Sequence, residues 1–464
     1  MKTLYWLRND LRTEDNPALA HAAGQGEVVA VYIEEETNTP WSEGAASRWW
    51  RQQSLAALSP KLPFVQEKGD PRDILPALAH AHGCTHVVWN RRYEPHNQHI
   101  DAEVKELCRE ANLTVTSFKA NLLFEPWEIT NGSGAPYKVF TPFWKACLMQ
   151  ESPLPCPAAP SSLPVPCSPF VPTFLPSWAK SWPQHWHPGE AGAQQALQIF
   201  LDQHLEGYGD KRDFPSQNHT SRLSPHLHFG EISPRTIWHA VHAHVAKHPS
   251  LKKDADKFLA EIGWREFSHH ILAQAPTLPD ENWKPAFNAY PWEDNPAHLQ
   301  AWQQGKTGYP IVDAGMRQLW QTGTLHNRVR MICASFLIKH LGIHWREGEL
   351  WFWDTLLDAD LANNAAGWQW VAGSGADASP YFRIFNPIMQ AAKFDSKGDY
   401  IRRYVPELSL LPTNYLFAPW EAPPLVLQAA GITLGTTYPK PLVRHEDARK
   451  RALAGYEKVR DASF

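Results

Sequence analysis

The sequence predicts two architectures in one chain: a doubly wound α/β domain with a parallel sheet, followed by a larger all-α domain. Three observations lead there. Short apolar runs alternate with helical patterns up to residue 130, a Pro-rich stretch interrupts the chain at 151–188, and strand signals nearly vanish after Pro188. At 464 residues the chain exceeds what one core organises, so at least two domains are expected.

The runs at 4–7, 28–33, 64–66, 87–90 and 113–118 read as strands of a buried parallel sheet, the last being the most polar and so an edge. Helical spacing at 17–23, 47–58, 74–81 and 99–111 falls between them. No Gly-x-Gly-x-x-Gly follows the first strand, so a dinucleotide site of the oxidoreductase kind is not expected. Eleven of the 40 Pro lie in 151–188, which marks an extended connector with Trp178, Trp182 and Trp186 as anchors. Helical spacing then recurs at 193–207, 234–247, 255–273, 295–303, 311–322 and 328–341. The expected division is 1–130, a connector 131–190, and 191–464.

Hydrophobic residues at 43% and charged residues at 20% give an ordinary soluble balance. A formal net charge of −4 excludes bulk affinity for nucleic acid but leaves room for a local basic groove. The six Cys (84, 108, 147, 156, 167 and 333) show no metal spacing and read as reduced thiols. No apolar run reaches the ~18 residues of a membrane span. The N-terminus becomes charged too early for a signal peptide. A cytoplasmic monomer without a metal is expected. His239, His242, His244 and His248 share one helix without a carboxylate or Cys in register, so they read as solvent-facing.

Chemistry concentrates in 326–387, where fixed charges of both signs, amides and indoles alternate. The motifs are His326-Asn327-Arg328-Val329-Arg330-Met331, Trp345 to Glu349, Leu357 to Asn364, Gly367-Trp368-Gln369-Trp370 and Tyr381 to Pro387. Buried charges are costly unless paired, so an ordinary core does not call for this pattern, whereas a polar aromatic ligand does. Ten of the 22 Trp fall between Trp264 and Trp370. Upstream, Thr220-Ser221-Arg222-Leu223-Ser224 sets three hydroxyls and a cation before Pro225, which suits a phosphate or, more simply, a helix N-cap. Glu261 and Trp264 share a helical face. They read either as an amphipathic helix or as a carboxyl that an indole desolvates into a hydrogen-bond donor. Arg330 and Asp358 read equally as a structural bridge or as a ligand-side pair. Trp292, Trp345 and Trp368 could all be core.

These motifs, from Tyr5-Trp6-Leu7-Arg8-Asn9-Asp10-Leu11-Arg12 to the final helix, resemble the DNA photolyase/cryptochrome flavoproteins. Within them the chain is most similar to the bacterial (class I) cyclobutane pyrimidine dimer photolyases. The resemblance implies FAD, active when reduced, in the helical domain. Tyr208 and Thr220, Ser221, Arg222, Leu223 and Ser224 would hold its pyrophosphate and ribityl region. Asp358, Ala359 and Asp360 would line the flavin edge, with Arg330 pairing Asp358 and Asn364 facing N5. It further implies a lesion pocket walled by Trp264 and Trp370 with Glu261, Asn327 and Met331 around the dimer. Arg212, Arg328, Arg383 and Gln390 match positions that contact DNA. Trp368, Trp345 and Trp292 match the tryptophans that photoreduce oxidised flavin.

The implied activity is light-driven splitting of cyclobutane dimers in UV-damaged DNA, a carbon–carbon lyase reaction. Flipping a dimer out costs less than flipping paired bases. Two other members of the family remain in view. (6-4) photolyases resemble a His-His pattern where this chain has His326-Asn327. Cryptochrome receptors carry a long C-terminal tail, for which the residues after 447–460 leave no room. A second, antenna chromophore is expected in the N-terminal domain, either methenyltetrahydrofolate or a deazaflavin. The Asn-Glu pair of folate-binding relatives is His96 and Asn97 here, after Tyr93-Glu94-Pro95.

Overall fold

The computed structural model describes residues 1–36, 39, 41–154, 157–161, 169–378 and 382–462. Cys156, Cys167, Tyr381 and three connector prolines (155, 164 and 166) lie outside the described residues. By packing, the chain forms two units: 1–208 with 220–276, and 209–219 with 277–464. Helices between 190 and 276, apart from the short Tyr208–Lys211, therefore belong with the sheet, and the functional division at 130 and 190 is a separate, proposed one.

The first unit contains five parallel strands: β1 (Lys2–Leu7), β2 (Glu27–Glu35), β3 (Val65–Gly69), β4 (His86–Asn90) and β5 (Thr114–Phe118). Their order is β3-β2-β1-β4-β5, which leaves polar β5 on an edge as expected. β1 is central and buried from Thr3 to Leu7, as a strand covered on both faces must be. The helices Pro17–Gln25, Ala45–Leu58, Pro71–Ala81 and Pro95–Glu110 fall where their spacing placed them. Pro stands in the first turn of three of them, where its missing N–H costs nothing.

The ends of β1 and β4 are closed by their own polar groups. Tyr5 donates its hydroxyl to Asp10 (2.6 Å), Asn90 donates Nδ2 to Asp10 (2.5 Å), and Arg8 bonds Asp101 (2.6 Å) and the Asn90 carbonyl (2.7 Å). The Tyr5-to-Arg12 motif is thereby explained as structure at the very place where doubly wound sheets bind ligands.

The connector differs from its expectation. It contains an unforeseen helix, Phe140–Leu148, whose Phe140, Phe143, Trp144 and Cys147 are buried. The Pro-rich composition of the following stretch masked this apolar run. Two of the three anchoring tryptophans are buried: Trp182 lies 5.2 Å from the Trp49 ring and Trp186 5.4 Å from Trp50. Trp178 packs 5.0 Å from Trp182.

The second unit is helical, and its only described β feature is an isolated bridge between Leu434 and Tyr438. Its core gathers Trp302, Tyr309, Phe336, Trp345, Trp368 and Tyr400. Two expected helices end differently. The 193–207 pattern is an α-helix, Glu190–Ile199, that widens to π over Phe200–His204. The 328–341 pattern is Asn327–Ser335 followed by π over Phe336–His340. Periodicity sees the apolar face but not a one-residue widening of the turn. Ile237 and Val241 face inward on Pro234–Lys247; of the four His read as solvent-facing, His242 and His248 are exposed, whereas His239 and His244 are half-buried. No group of three metal ligands forms among the described residues.

Candidate functional site

The residues expected to form the site fall partly in each unit, and each set is described within its own unit. In the second unit, the segment from Leu357 to Ala372 presents most of them. Asp360 is the N-cap of Leu361–Ala372: its Oδ1 accepts from the Asn363 backbone (2.8 Å) and side chain (2.7 Å). Asp360 therefore has a structural task of its own. Asp358, two residues earlier, has both oxygens on Arg330 Nη2, at 2.9 and 2.8 Å, and Arg330 Nε donates to the Leu325 carbonyl at 2.7 Å. The expected pair exists, with side-chain exposures of 27% for Arg330 and 6% for Asp358. Ala359 between them is buried.

One turn into the helix, Asn364 donates Nδ2 to the Glu349 carbonyl (3.0 Å), which leaves Oδ1 as the accepting end of the amide. That is the polarity required of a group facing a flavin N5–H. Glu349 itself is a residue the sequence reading passed over, although its motif was noted. It is fully buried, neither carboxyl oxygen has a hydrogen-bond partner, and burial pushes its pKa well up. Its neighbour Gly348 is obligatory, because a Cβ there would stand 2.0 Å from the Trp368 ring.

Trp368 is buried beside Phe352 (5.0 Å) and Trp302 (6.2 Å). Trp345 is fully buried and donates Nε1 to Asn282 (2.9 Å). Trp292 is half-buried. The ring joining the last two is unforeseen: His344 lies 4.7 Å from Trp292 and 5.4 Å from Trp345. Burial and Arg346 lower its pKa to about 4, so it stands between the indoles as a neutral imidazole near neutral pH.

The same unit holds residues expected to contact DNA. His326 caps the Asn327–Ser335 helix through the Arg328 backbone N–H (3.2 Å). Asn327 is exposed, and Met331, one turn on, is half-buried. Arg328 lies over Phe394 (4.5 Å) and donates to Asp213 (2.7 Å), whose other oxygen is 4.0 Å from Arg212 Nε. Arg383 is exposed over Phe385 (4.9 Å), and Gln390 and Trp370 are half-buried.

In the first unit, Tyr208 is buried against Phe200 (5.4 Å) and Phe258 (5.6 Å). The helix after the hydroxyl loop is only Ser224–His228, with Leu223 at its cap and no side-chain cap bond. The simple N-cap reading is thus overturned, and five residues supply little of a helix dipole. Ser221 and Ser224 remain accessible. Arg222, at φ +55°, turns its guanidinium onto the Trp186 ring (4.3 Å) and the His185 carbonyl (2.6 Å) rather than lining up with the hydroxyls.

Glu261 is half-buried with Lys257 3.7 Å away, so the desolvated setting expected for it is absent. That setting belongs to Glu266, five residues on. It is buried, accepts from the Leu123 and Phe124 N–H groups (2.8 and 3.1 Å), and burial pushes it up to about 6. Trp264 is half-buried and stacked on Phe140 from the unforeseen helix. Asn97 donates to Glu94 (3.1 Å) and accepts from Arg92, so the departure from the folate pattern is absorbed into local bonds.

Comparisons with known proteins agree with the fold. Residues 3–161 match the DNA photolyase family model and 258–458 the FAD binding domain of DNA photolyase. The chain is 50% identical to the deoxyribodipyrimidine photo-lyase of Agrobacterium fabrum, covering 98% of each. It is 38% identical to cryptochrome-2 of Arabidopsis thaliana, covering 100% of this chain and 80% of that one. The crystal structure of a bacterial class III photolyase from Agrobacterium tumefaciens superposes with a TM-score of 0.94 at 49% identity, covering 99% of this chain and 98% of that one.

An α/β domain followed by a helical FAD-binding region defines the class, a two-part flavoprotein. The chain belongs to the DNA photolyase/cryptochrome family and carries its FAD-binding domain.

Proposed function

We propose that the protein is a light-dependent lyase that splits cyclobutane pyrimidine dimers in DNA. The observation that carries the reading is the Asn364 amide, whose Nδ2 is held by the Glu349 carbonyl so that Oδ1 accepts. The orphaned buried atoms nearby, both Glu349 carboxyl oxygens and Trp368 Nε1, are what a site completed by a polar heterocycle leaves in the bare chain. The residues present fit FAD. Asp358, held by Arg330, and Asn364 would meet the isoalloxazine, while Tyr208, Thr220, Ser221, Leu223 and Ser224 would hold the phosphate and ribityl parts. Bound there in its reduced form, FAD would supply under light the electron that opens the cyclobutane ring, and the electron would return to it.

The chain's own residues do the rest. Trp264 and Trp370 stack on the flipped dimer, worth about 1–3 kcal/mol per base. Glu261, Asn327 and Met331 surround it, and Glu261, protonated once the bound dimer covers it, donates its hydroxyl to a pyrimidine carbonyl, where charge develops. Arg212, Arg328 and Arg383 meet phosphates and Gln390 completes the contact. Trp292, Trp345 and Trp368 conduct electrons during photoreduction. An antenna chromophore, methenyltetrahydrofolate or a deazaflavin, belongs to the N-terminal domain. The 49% identity to a class III photolyase of Agrobacterium tumefaciens favours that class over class I.

The test mixes purified, reduced protein with a dimer-containing oligonucleotide and follows dimer loss under blue light and in darkness. Loss under light alone supports the reading. Flavin binding without repair would favour the photoreceptor reading, which the 38% identity to a cryptochrome motivates. Repair of (6-4) products instead would assign the other branch.

A further inference from the structure

We infer that Asp213 is the resident counter-anion of a DNA-phosphate seat: its carboxylate holds Arg328 in the free protein, and a backbone phosphate replaces it when DNA binds. The inference rests on Arg212 and Arg328 being DNA contacts, and it names the residue that restrains them.

One carboxylate serves two guanidiniums. Asp213 Oδ2 accepts from Arg328 Nη2 at 2.7 Å, and Oδ1 stands 4.0 Å from Arg212 Nε. The contact on Arg328 is single-pronged: Nη2 alone donates to the carboxylate, and Nε is buried without an acceptor among the described residues. Guanidinium and oxyanion normally meet through two parallel bonds, so a fork held by one prong is a weak grip. The pair is part-buried, with side-chain exposures of 18% for Arg328 and 34% for Asp213, so solvent reaches the carboxylate and screens the pair in part. Exchange for another oxyanion therefore costs little.

The seat itself does not depend on the carboxylate. Phe394 lies under the Arg328 guanidinium at 4.5 Å, and Phe214 packs 6.3 Å from the same ring. Lys393 brings a third cation 5.1 Å from it. His326 fixes the Arg328 backbone by capping its helix. With Asp213 removed, the guanidinium keeps its platform and the patch gains a unit of positive charge.

Phosphate contacts are blind to sequence and lesion alike. Asp213 thus lowers the affinity for all DNA, which limits retention on undamaged strands.

The experiment measures binding of the flavin-loaded protein to undamaged and dimer-containing duplexes by fluorescence anisotropy. It compares wild type, Asp213→Asn, Arg328→Ala and the double variant at about 50 mM and about 200 mM salt. Asp213→Asn is expected to tighten both complexes about three- to fivefold at the lower salt, the range of an exposed charge pair. Its salt dependence should steepen, and the gain should vanish in the Arg328→Ala background. Weaker binding by Asp213→Asn would overturn the inference, because the carboxylate would then be positioning Arg328 for DNA. An equal gain in the Arg328→Ala background would also overturn it, by making the effect one of overall charge. Wild type that binds neither duplex would remove the DNA reading and this inference with it. Asp213→Ser carries the same expectation should Asp213→Asn lose flavin or melt early.

Discussion

Trp264 lies flat on Phe140, with ring centroids 3.7 Å apart and planes 9° from parallel. Phe140 belongs to a helix inside the Pro-rich connector region, so that region supplies one face of the indole assigned to lesion stacking. Phe140→Ala should weaken binding to dimer-containing DNA by about 0.5–1.5 kcal/mol, the worth of a stacked aromatic pair. Binding to undamaged DNA should be unchanged, since phosphate contacts are untouched. Titration of both duplexes checks this, and equal losses on the two would place Trp264 outside the lesion contact.

Photoreduction and repair should separate by mutation. Trp368→Phe removes the buried indole whose ring Gly348 is shaped to admit, and phenyl oxidises far less readily than indole. Light-driven reduction of oxidised flavin should stop, while repair with chemically reduced flavin continues. Glu261→Ala should do the reverse, lowering repair roughly tenfold through one lost charge-assisted hydrogen bond and leaving photoreduction intact. Flash absorbance and dimer counting are the two readouts, and both variants failing in the same one would refute the division.

Asp358→Asn leaves the half-buried Arg330 guanidinium without its counter-charge. A destabilisation of about 1–3 kcal/mol is expected, together with faster loss of FAD on dialysis. Lower stability with undiminished flavin retention would make the pair a structural bridge only.

Two buried groups give pH dependences of opposite sign. Burial raises Glu266 from 4.5 to about 6, so the folded state favours its protonated form. Its contribution is complete below pH 4.5 and is lost as pH rises through about 6, by up to about 2 kcal/mol. Glu266→Gln should remove that slope and raise stability near pH 7.5, roughly above the window. Burial lowers His340 from 6.5 to about 3, with His445 and Arg451 adding to it. Its contribution is present above pH 6.5 and is lost as pH falls toward 3, so His340→Asn should flatten the acid limb of a melting-temperature profile. Parallel profiles for variant and wild type would contradict either assignment.

The sequence by itself determined the elements with strong periodicity and the motifs with fixed spacing. All five strands, the polar edge strand and the Arg330–Asp358 pair were legible in it, because alternation, apolar runs and opposite charges are properties of the chain order. Tertiary structure alone decided what each polar group meets. Asp360 became a helix cap, Arg222 turned to Trp186, Glu266 rather than Glu261 took the desolvated place, and His344 came between Trp292 and Trp345. Burial and hydrogen-bond partners arise from residues far apart in sequence, such as Asp213 and Arg328 or Phe140 and Trp264, and no local pattern encodes which of them will meet.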